Sequence, residues 1–188
     1  FPAMALKVRI DDTLSRVLVL YLDFGGKSMP RNLLLLRHGK THPGGYDRDW
    51  DRELKHRGHA QAKRIAKELK SAELVPGRII SSSAVRARET AEIVAAELGL
   101  ADSPELRDEL YGIHASDLIR SCLGLDNAWE CVLLVGHNPA FEEAASILAG
   151  RSISLGTGDC AVLRYVAPSW SAIVDGGAPE QFDVIQSD

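Results

Sequence analysis

The amino-acid sequence predicts an α/β fold with three layers, in which a doubly wound, mostly parallel sheet is covered by helices on both faces. Two observations support this fold class. Apolar segments of strand length alternate with amphipathic segments of helix length from Leu33 onward, which is the pattern of strands joined by crossover helices. The most apolar segments contain no polar residue, as is typical of strands buried on both sides. We therefore expect ligands to bind beyond the carboxyl ends of the strands.

Five strands are predicted. Residues 33–36 are four consecutive leucines, too few for a helix. The segments GRIISS and CVLLV predict buried strands at residues 77–82 and 131–135. The alternation in AVLRYV predicts a more exposed strand at residues 161–166, and FDVIQ predicts an edge strand at residues 182–186.

Helices are predicted at residues 58–70, 84–98, 115–122 and 139–149. The first two have apolar residues along one face, and Gly99 is placed to end the second. In the last, Asn138 suits the N-cap, Pro139 suits the first helical position and Gly150 can close the helix.

Residues 29–188 are expected to form a single domain, since 188 residues, of which 45% are hydrophobic, can bury one substantial core. Residues 1–28 are interpreted separately. The apolar stretch at residues 16–24 follows two aspartates and lacks a small-residue cleavage pattern, so a secretory signal is not predicted. We favour a leader or an artificially added extension before a natural start at Met29. The alternative is an additional strand that covers a sheet edge.

Composition argues against several partners. The formal net charge is −4, so no general basic surface for nucleic acid or anionic membrane is expected. No run of eighteen apolar residues occurs, so no membrane span is predicted. The cysteines, Cys122, Cys131 and Cys160, are odd in number and widely spaced, which favours a reducing compartment and hence the cytoplasm.

Basic side chains follow three separate predicted strands. Arg37 and His38 come directly after the leucine strand, Arg86 follows the second strand, and His137 follows CVLLV. Because the carboxyl ends of parallel strands meet at one rim of the sheet, we expect these side chains to converge. Guanidinium groups, imidazoles and helix N-termini are the groups that bind a tetrahedral phosphoryl group.

Each of these residues also has an ordinary structural explanation. Arg37 and His38 can be a strand exit, Arg86 a solvated helix residue, and His137 part of a capping turn. Their conjunction at three strand ends favours a phosphoryl site.

The segments LLLLRHGKT, SSSAVRARETAEIV and VLLVGHNP, in this order, resemble the motifs of the histidine phosphatase superfamily, also called the phosphoglycerate mutase-like family. The resemblance covers residues 32–166. The short chain and the segments DRELKHRGHAQA and DELYGIHASDLI resemble the small phosphohistidine phosphatase SixA branch. The resemblance implies the histidine phosphatase fold and a phosphatase that needs neither metal nor other cofactor.

The resemblance also implies roles for individual residues. His38 would be the nucleophile that forms a phosphohistidine intermediate, its ring kept neutral by nearby arginines. Arg37, Arg86 and His137 would hold the phosphoryl oxygens and stabilise their charge in the transition state.

Further residues are expected to act on the leaving group or the substrate. By position in the family pattern, Glu109 is the candidate acid for the leaving group, and the adjacent Asp108 is the alternative. Each also has an ordinary explanation as a solvated loop carboxylate. Thr41 and Asn138 are expected to contact the substrate.

The expected partner is a phosphorylated substrate, either a phosphohistidine protein or a small phosphomonoester. No asparagine occurs in HPGGYDRDW where mutases usually carry one, and Glu53 stands where the SixA branch more often has proline. The rivals are a small-molecule phosphomonoesterase or mutase with the same pocket, a phosphate-binding scaffold without turnover, and a zinc hydrolase.

Overall fold

The structure is a computed structural model that describes residues 5–9, 19–23, 28–45 and 47–187. Its strands are β1 (Ala5–Arg9), β2 (Val19–Asp23), β3 (Met29–Arg37), β4 (Arg78–Ser82), β5 (Glu105–Arg107), β6 (Cys131–Gly136), β7 (Cys160–Ala167) and β8 (Gln181–Ile185). Its α-helices are α1 (His56–Ser71), α2 (Val85–Leu98), α3 (Ala115–Ser121), α4 (Ala140–Ala149) and α5 (Trp170–Val174). Short 3-10 turns cover Asp49–Asp51, Asp108–Leu110 and Cys122–Gly124.

The central sheet has six strands in the order β5-β4-β6-β3-β7-β8. The first four are parallel, whereas β7 and β8 run antiparallel to their neighbours. The predicted doubly wound, mostly parallel sheet is therefore confirmed.

The leucine strand separates two apolar cores. Leu33 and Leu35 belong to a core shared with α3, α4 and α5, while Leu34 and Leu36 belong to a core shared with α1 and α2. Successive side chains of a strand point to opposite faces, so an unbroken run of leucines serves both cores. This arrangement produces the predicted three layers.

The parallel register brings two strand ends to the same level. In the β3–β6 pair, Arg37 is the register partner of Gly136. The residues that follow, His38 and His137, therefore leave adjacent strands side by side at the rim.

Two sequence expectations are wrong in detail. The strand at residues 161–166 was expected to be more exposed, but β7 is mostly buried. Its alternate side chains pack into the two cores, Leu163 and Tyr165 on one face of the sheet and Val162 on the other. Asn138 was expected to cap α4, but α4 begins at Ala140 with Pro139 at the N-cap, and no side chain caps it. The Asn138 amide instead donates to the Leu155 carbonyl and the Glu142 carboxylate.

Strand β1 pairs with β2 in a separate antiparallel sheet, and within the described residues neither strand pairs with the central sheet. Residues 10–18 and 24–27, which include residues 16–18 and 24 of the apolar stretch at 16–24, lie outside the described residues. The interpretation of residues 1–28 stays a prediction.

In the described part of the chain, no helix combines the length and the hydropathy that crossing a bilayer requires.

Candidate active site

His38 lies at the carboxyl end of β3 with a defined tautomer. Its Nδ1 atom is 2.8 Å from the carbonyl oxygen of Gly39. Because a carbonyl can only accept, Nδ1 carries the proton and Nε2 keeps its lone pair. Burial, opposed by the Gly39 hydrogen bond and reinforced by the charges of Arg86 and Arg37, lowers the pKa of His38 to about 4. The ring is therefore a neutral base at pH 7, and burial contributes more to this than the arginines do.

Arg86 lies in the first turn of α2 and is only 6% exposed. Its Nε donates to Nε2 of His38 at 3.3 Å. Its two terminal nitrogens donate to Asp49, one to the backbone carbonyl at 2.6 Å and one to Oδ2 at 2.7 Å. The guanidinium is thus held in one plane by contacts on two sides, which a solvated helix residue would not show.

His137 follows β6 and is 9% exposed. Its ring centre is 5.1 Å from that of His38, and its Nε2 is 3.0 Å from Oγ of Ser82, the last residue of β4. Burial, together with the charges of His38 and Arg86, lowers the pKa of His137 to about 3. The three strand ends therefore bring His38, Arg86 and His137 together.

Arg37 borders the same site from the last position of β3. One terminal nitrogen donates to the carbonyl of Leu155 at 2.7 Å, and its buried Nε has no hydrogen-bond partner among the described residues. Buried N–H groups without partners are rare, and an unpaired guanidinium N–H is a suitable donor to an oxyanion.

Asp49 and Tyr111 complete the site, and sequence reasoning missed both. Oδ2 of Asp49 accepts from Arg86 and, at 3.0 Å, from the Tyr111 hydroxyl, while Oδ1 accepts from Arg52 at 2.8 Å. Hydrogen bonds led by that from Arg52 lower the pKa of Asp49 to about 2. The Tyr111 ring packs edge-on against His137, with ring centres 5.3 Å apart. For Asp49, the sequence offered only the mixed run of charges RDWDRE, a pattern that is common on solvated surfaces.

Thr41 and Asn138, the two expected substrate contacts, are both engaged within the protein. Thr41 is 8% exposed, and its hydroxyl accepts from Arg52 at 2.6 Å. Asn138 Nδ2 donates to the Leu155 carbonyl at 3.0 Å, the carbonyl that also accepts from Arg37. Its buried Oδ1 has no partner among the described residues. Asn138 therefore lies next to Arg37, whereas Thr41 supports the loop after His38.

The two candidate acids differ in their surroundings. Glu109 is exposed in the turn Asp108–Leu110 and forms no hydrogen bond or ion pair with the described residues. Asp108 is also exposed, but its carboxylate contacts the Ser83 hydroxyl just beyond β4. Asp108 is thus attached to the rim that carries Arg86.

Within the described residues, no group of three or more His, Cys, Asp or Glu side chains is arranged to hold a metal ion. The fixed positive charges of this site belong to guanidinium groups.

Comparisons with known proteins agree with this geometry. Residues 33–119 match the family described as the histidine phosphatase superfamily (branch 1). An uncharacterized chloroplastic protein of Arabidopsis thaliana is 34% identical over an alignment of 157 residues that covers 76% of this chain and 70% of the plant protein.

Solved structures show the same fold. A protein of Agrobacterium tumefaciens assigned as a phosphohistidine phosphatase SixA superposes with a TM-score of 0.65 at 29% identity, covering 74% of this chain and 96% of that one. A protein histidine phosphatase SixA complexed with tungstate has a TM-score of 0.65 at 22% identity, covering 73% and 97%, and supports the fold. The family match includes His38 and Arg86, the plant relative is covered over 70% of its length, and the fold is that of the SixA structures. The chain therefore belongs to the histidine phosphatase superfamily, in its SixA-like branch, as a phosphatase.

Proposed function

We propose that this phosphatase works through a phosphohistidine formed on Nε2 of His38. The observation that carries the proposal is the tautomer: Nδ1 is bound to the Gly39 carbonyl and Nε2 faces Arg86 with its lone pair. A partly buried, neutral imidazole that presents a lone pair beside a fixed cation is a competent nucleophile for phosphorus.

The reaction has two balanced steps. In the first, Nε2 forms a bond to phosphorus while the bond to the leaving group breaks, and the leaving group takes the electron pair and a proton. In the second, water attacks phosphorus, the P–N bond breaks, inorganic phosphate leaves and His38 recovers its lone pair. In both steps Arg86, Arg37 and His137 bind the non-bridging oxygens, where charge accumulates.

We propose Asp108 as the proton donor in place of Glu109, because only Asp108 contacts the rim, through Ser83. It would take a proton back from water in the second step. Asp108→Asn should slow turnover of alkyl phosphates about a hundredfold, and Glu109→Gln should not. The reverse result would restore Glu109 to this role.

The substrate that we propose is a phosphohistidine protein, as the names of the SixA structures state for those proteins. Its imidazole leaving group departs readily once protonated. The alternative is a small phosphomonoester. Comparison of kcat/KM for a phosphohistidine protein with that for phosphosugars and nucleotides decides between them.

The mechanism is tested by trapping the intermediate. The enzyme is mixed with a ³²P-labelled phosphoryl donor, quenched in alkali and compared with His38→Ala and with the control His42→Ala, an exposed histidine of the same loop. Alkali-stable, acid-labile label in the wild type and in His42→Ala, and none in His38→Ala, is expected. Undiminished turnover by His38→Ala would exclude the mechanism.

We also propose that the protein is located in a reducing compartment. The described cysteines Cys122, Cys131 and Cys160 are unpaired and buried. The cytoplasm fits them, as does a chloroplast, which the plant relative's name gives for that protein. Imaging of a fluorescent fusion in the source cell distinguishes the two.

A further inference from the structure

Two aromatic side chains, Trp50 and Tyr111, pack together beside the phosphoryl site. Their ring centres are 4.7 Å apart with the planes tilted by 60°. They come from different 3-10 regions of the chain, Trp50 from Asp49–Asp51 and Tyr111 from just after Asp108–Leu110. We call them the Trp50–Tyr111 pair. The mechanism proposed above uses neither ring.

The pair lies on the solvent side of the site. Arg86 and His137 are 6% and 9% exposed and form its floor, whereas Trp50 and Tyr111 are only partly buried. Tyr111 contacts both floor residues: its ring centre is 5.3 Å from that of His137 and 5.7 Å from Cζ of Arg86. A leaving group that departs toward solvent on this side of the site would pass the pair.

The orientation of the pair is coupled to the arginine that faces the phosphate. The Tyr111 hydroxyl donates to the same Oδ2 of Asp49 that accepts from Arg86, and Trp50 is the next residue after Asp49. Both rings are therefore positioned relative to Arg86 before substrate arrives. Preorganised contacts of this kind lose little entropy on binding.

We propose that the Trp50–Tyr111 pair is a leaving-group subsite that selects substrates whose phosphoryl group is attached to a planar aromatic ring. A planar ring packs against aromatic faces and edges, and an imidazole that is protonated as it departs is also attracted to a π-face. An aliphatic alcohol gains neither contact. The proposal deepens the proposed function and rests on it, since it assigns specificity to the same site.

The test measures selectivity, not activity alone. Values of kcat/KM are determined for phosphoimidazole and phenyl phosphate, which carry rings, and for phosphoramidate and glycerol phosphate, which do not. Wild type is compared with Trp50→Leu, which removes an aromatic ring, and with Trp50→Phe and Tyr111→Phe, which keep one. For each protein, the ring-to-no-ring ratio is kcat/KM for a substrate with a ring divided by kcat/KM for one without. Dividing a variant's ratio by the wild-type ratio cancels the intrinsic reactivity of the substrates.

We expect Trp50→Leu to lower the ring-to-no-ring ratio by roughly three- to tenfold, the effect of losing one aromatic contact. Trp50→Phe and Tyr111→Phe should keep most of the ratio. A drop with phosphoimidazole alone identifies an imidazole subsite, and a drop with both ring substrates identifies a general aromatic subsite; either supports the proposal. A ratio that stays constant while all four values fall would overturn it, because the pair would then only support the loop.

Two controls keep the outcomes separate. Trp129→Leu removes a partly buried tryptophan just before the amino end of β6, whereas the site lies at the carboxyl ends of the strands, and this variant should leave the ratio unchanged. Labelling of His38 is measured in the same wild-type sample. Absence of label there refutes the proposed mechanism, whereas intact labelling with a constant ratio refutes only the subsite.

Discussion

The Nε atom of Arg86 donates a hydrogen bond to Nε2 of His38 over 3.3 Å. This contact points the guanidinium at the nitrogen that we propose as the nucleophile, and the other two nitrogens of Arg86 are held by Asp49. When a phosphoryl group binds, the N–H groups can move from these partners to its oxygens. The affinity of the site for phosphate therefore depends on how Arg86 is held.

Replacement of Arg86 by lysine should lower the rate of phosphoenzyme formation about a hundred- to a thousandfold. Lysine retains the charge but not the planar fork, so it cannot contact His38 and Asp49 together. Rapid-quench measurement of the first turnover checks this. Arg88→Lys, two residues along α2 in an exposed pair with Glu92, is the control and should behave as wild type. Equal rates for the two variants would contradict the role of Arg86.

Replacement of Asp49 by asparagine should separate binding from turnover. Removal of a negative charge beside the oxyanion should tighten binding of inorganic phosphate by about tenfold, on the order of 1.4 kcal/mol. At the same time kcat should fall, because Arg86 loses the carboxylate that orients it. Isothermal titration with phosphate, together with steady-state kinetics, measures both. Weaker phosphate binding in this variant would show that Asp49 does not compete with the anion.

Stability should decrease as pH falls from about 6.5 toward 4. The folded-state pKa values of His38 and His137 are lowered to about 4 and about 3, whereas the unfolded chain titrates near 6.5. Between these values the unfolded state binds more protons, so the free energy of unfolding decreases by up to about 1.4 kcal/mol per pH unit for each histidine. Above about pH 7 neither histidine should contribute to the change of the free energy of unfolding with pH.

Urea unfolding at pH 7.5, 6 and 5 measures this dependence. His38→Gln removes one of the two groups and should show a shallower slope over the same range. Asp49, with its pKa lowered to about 2, stays charged throughout and does not obscure the comparison. An identical slope in the variant would mean that His38 is as easily protonated in the folded state as in the unfolded chain.

Replacement of Gly58 by alanine should destabilise the fold and reduce activity. A Cβ at Gly58 would lie 2.2 Å from the backbone oxygen of Lys40, so α1 and the loop after His38 would have to separate. We expect a cost of about 1–3 kcal/mol and a lower kcat. Gly124→Ala is the control, since its Cβ would meet no atom within 4 Å. Thermal unfolding and turnover of both variants check the prediction, and equal melting temperatures would contradict it.

Treatment with a chelator should leave turnover unchanged. The charge at the proposed site is supplied by guanidinium groups, which a chelator does not remove. The measurement is kcat before and after incubation with EDTA and dialysis. Loss of activity that returns with Zn²⁺ would favour a metal-dependent hydrolase.

The positions of the main elements could be predicted from local patterns. Four consecutive leucines indicated a strand with both faces buried, and Gly99 and Gly150 indicated helix ends, which adopt φ values of 71° and 65°. The short strand β5 and helix α5 were not predicted. With three and five residues, they are too short for a periodic pattern to identify.

Some residues of the candidate site could likewise be predicted from the sequence, and others could not. His38, Arg86 and His137 were predicted to converge because each follows a strand of a parallel sheet, where topology brings the strand ends to one rim. Asp49 and Tyr111 could not be found in this manner, since the bond between them joins positions 62 residues apart in irregular segments.

The sequence alone therefore determined the sheet, its helical layers and the residues at three strand ends, because these depend on hydrophobic periodicity and on a general rule for parallel sheets. The tertiary structure decided the tautomer of His38, the partners of Arg86 and the placement of Trp50 and Tyr111. These depend on how loops fold over the rim, and loop conformation is set by contacts between residues that are distant in sequence.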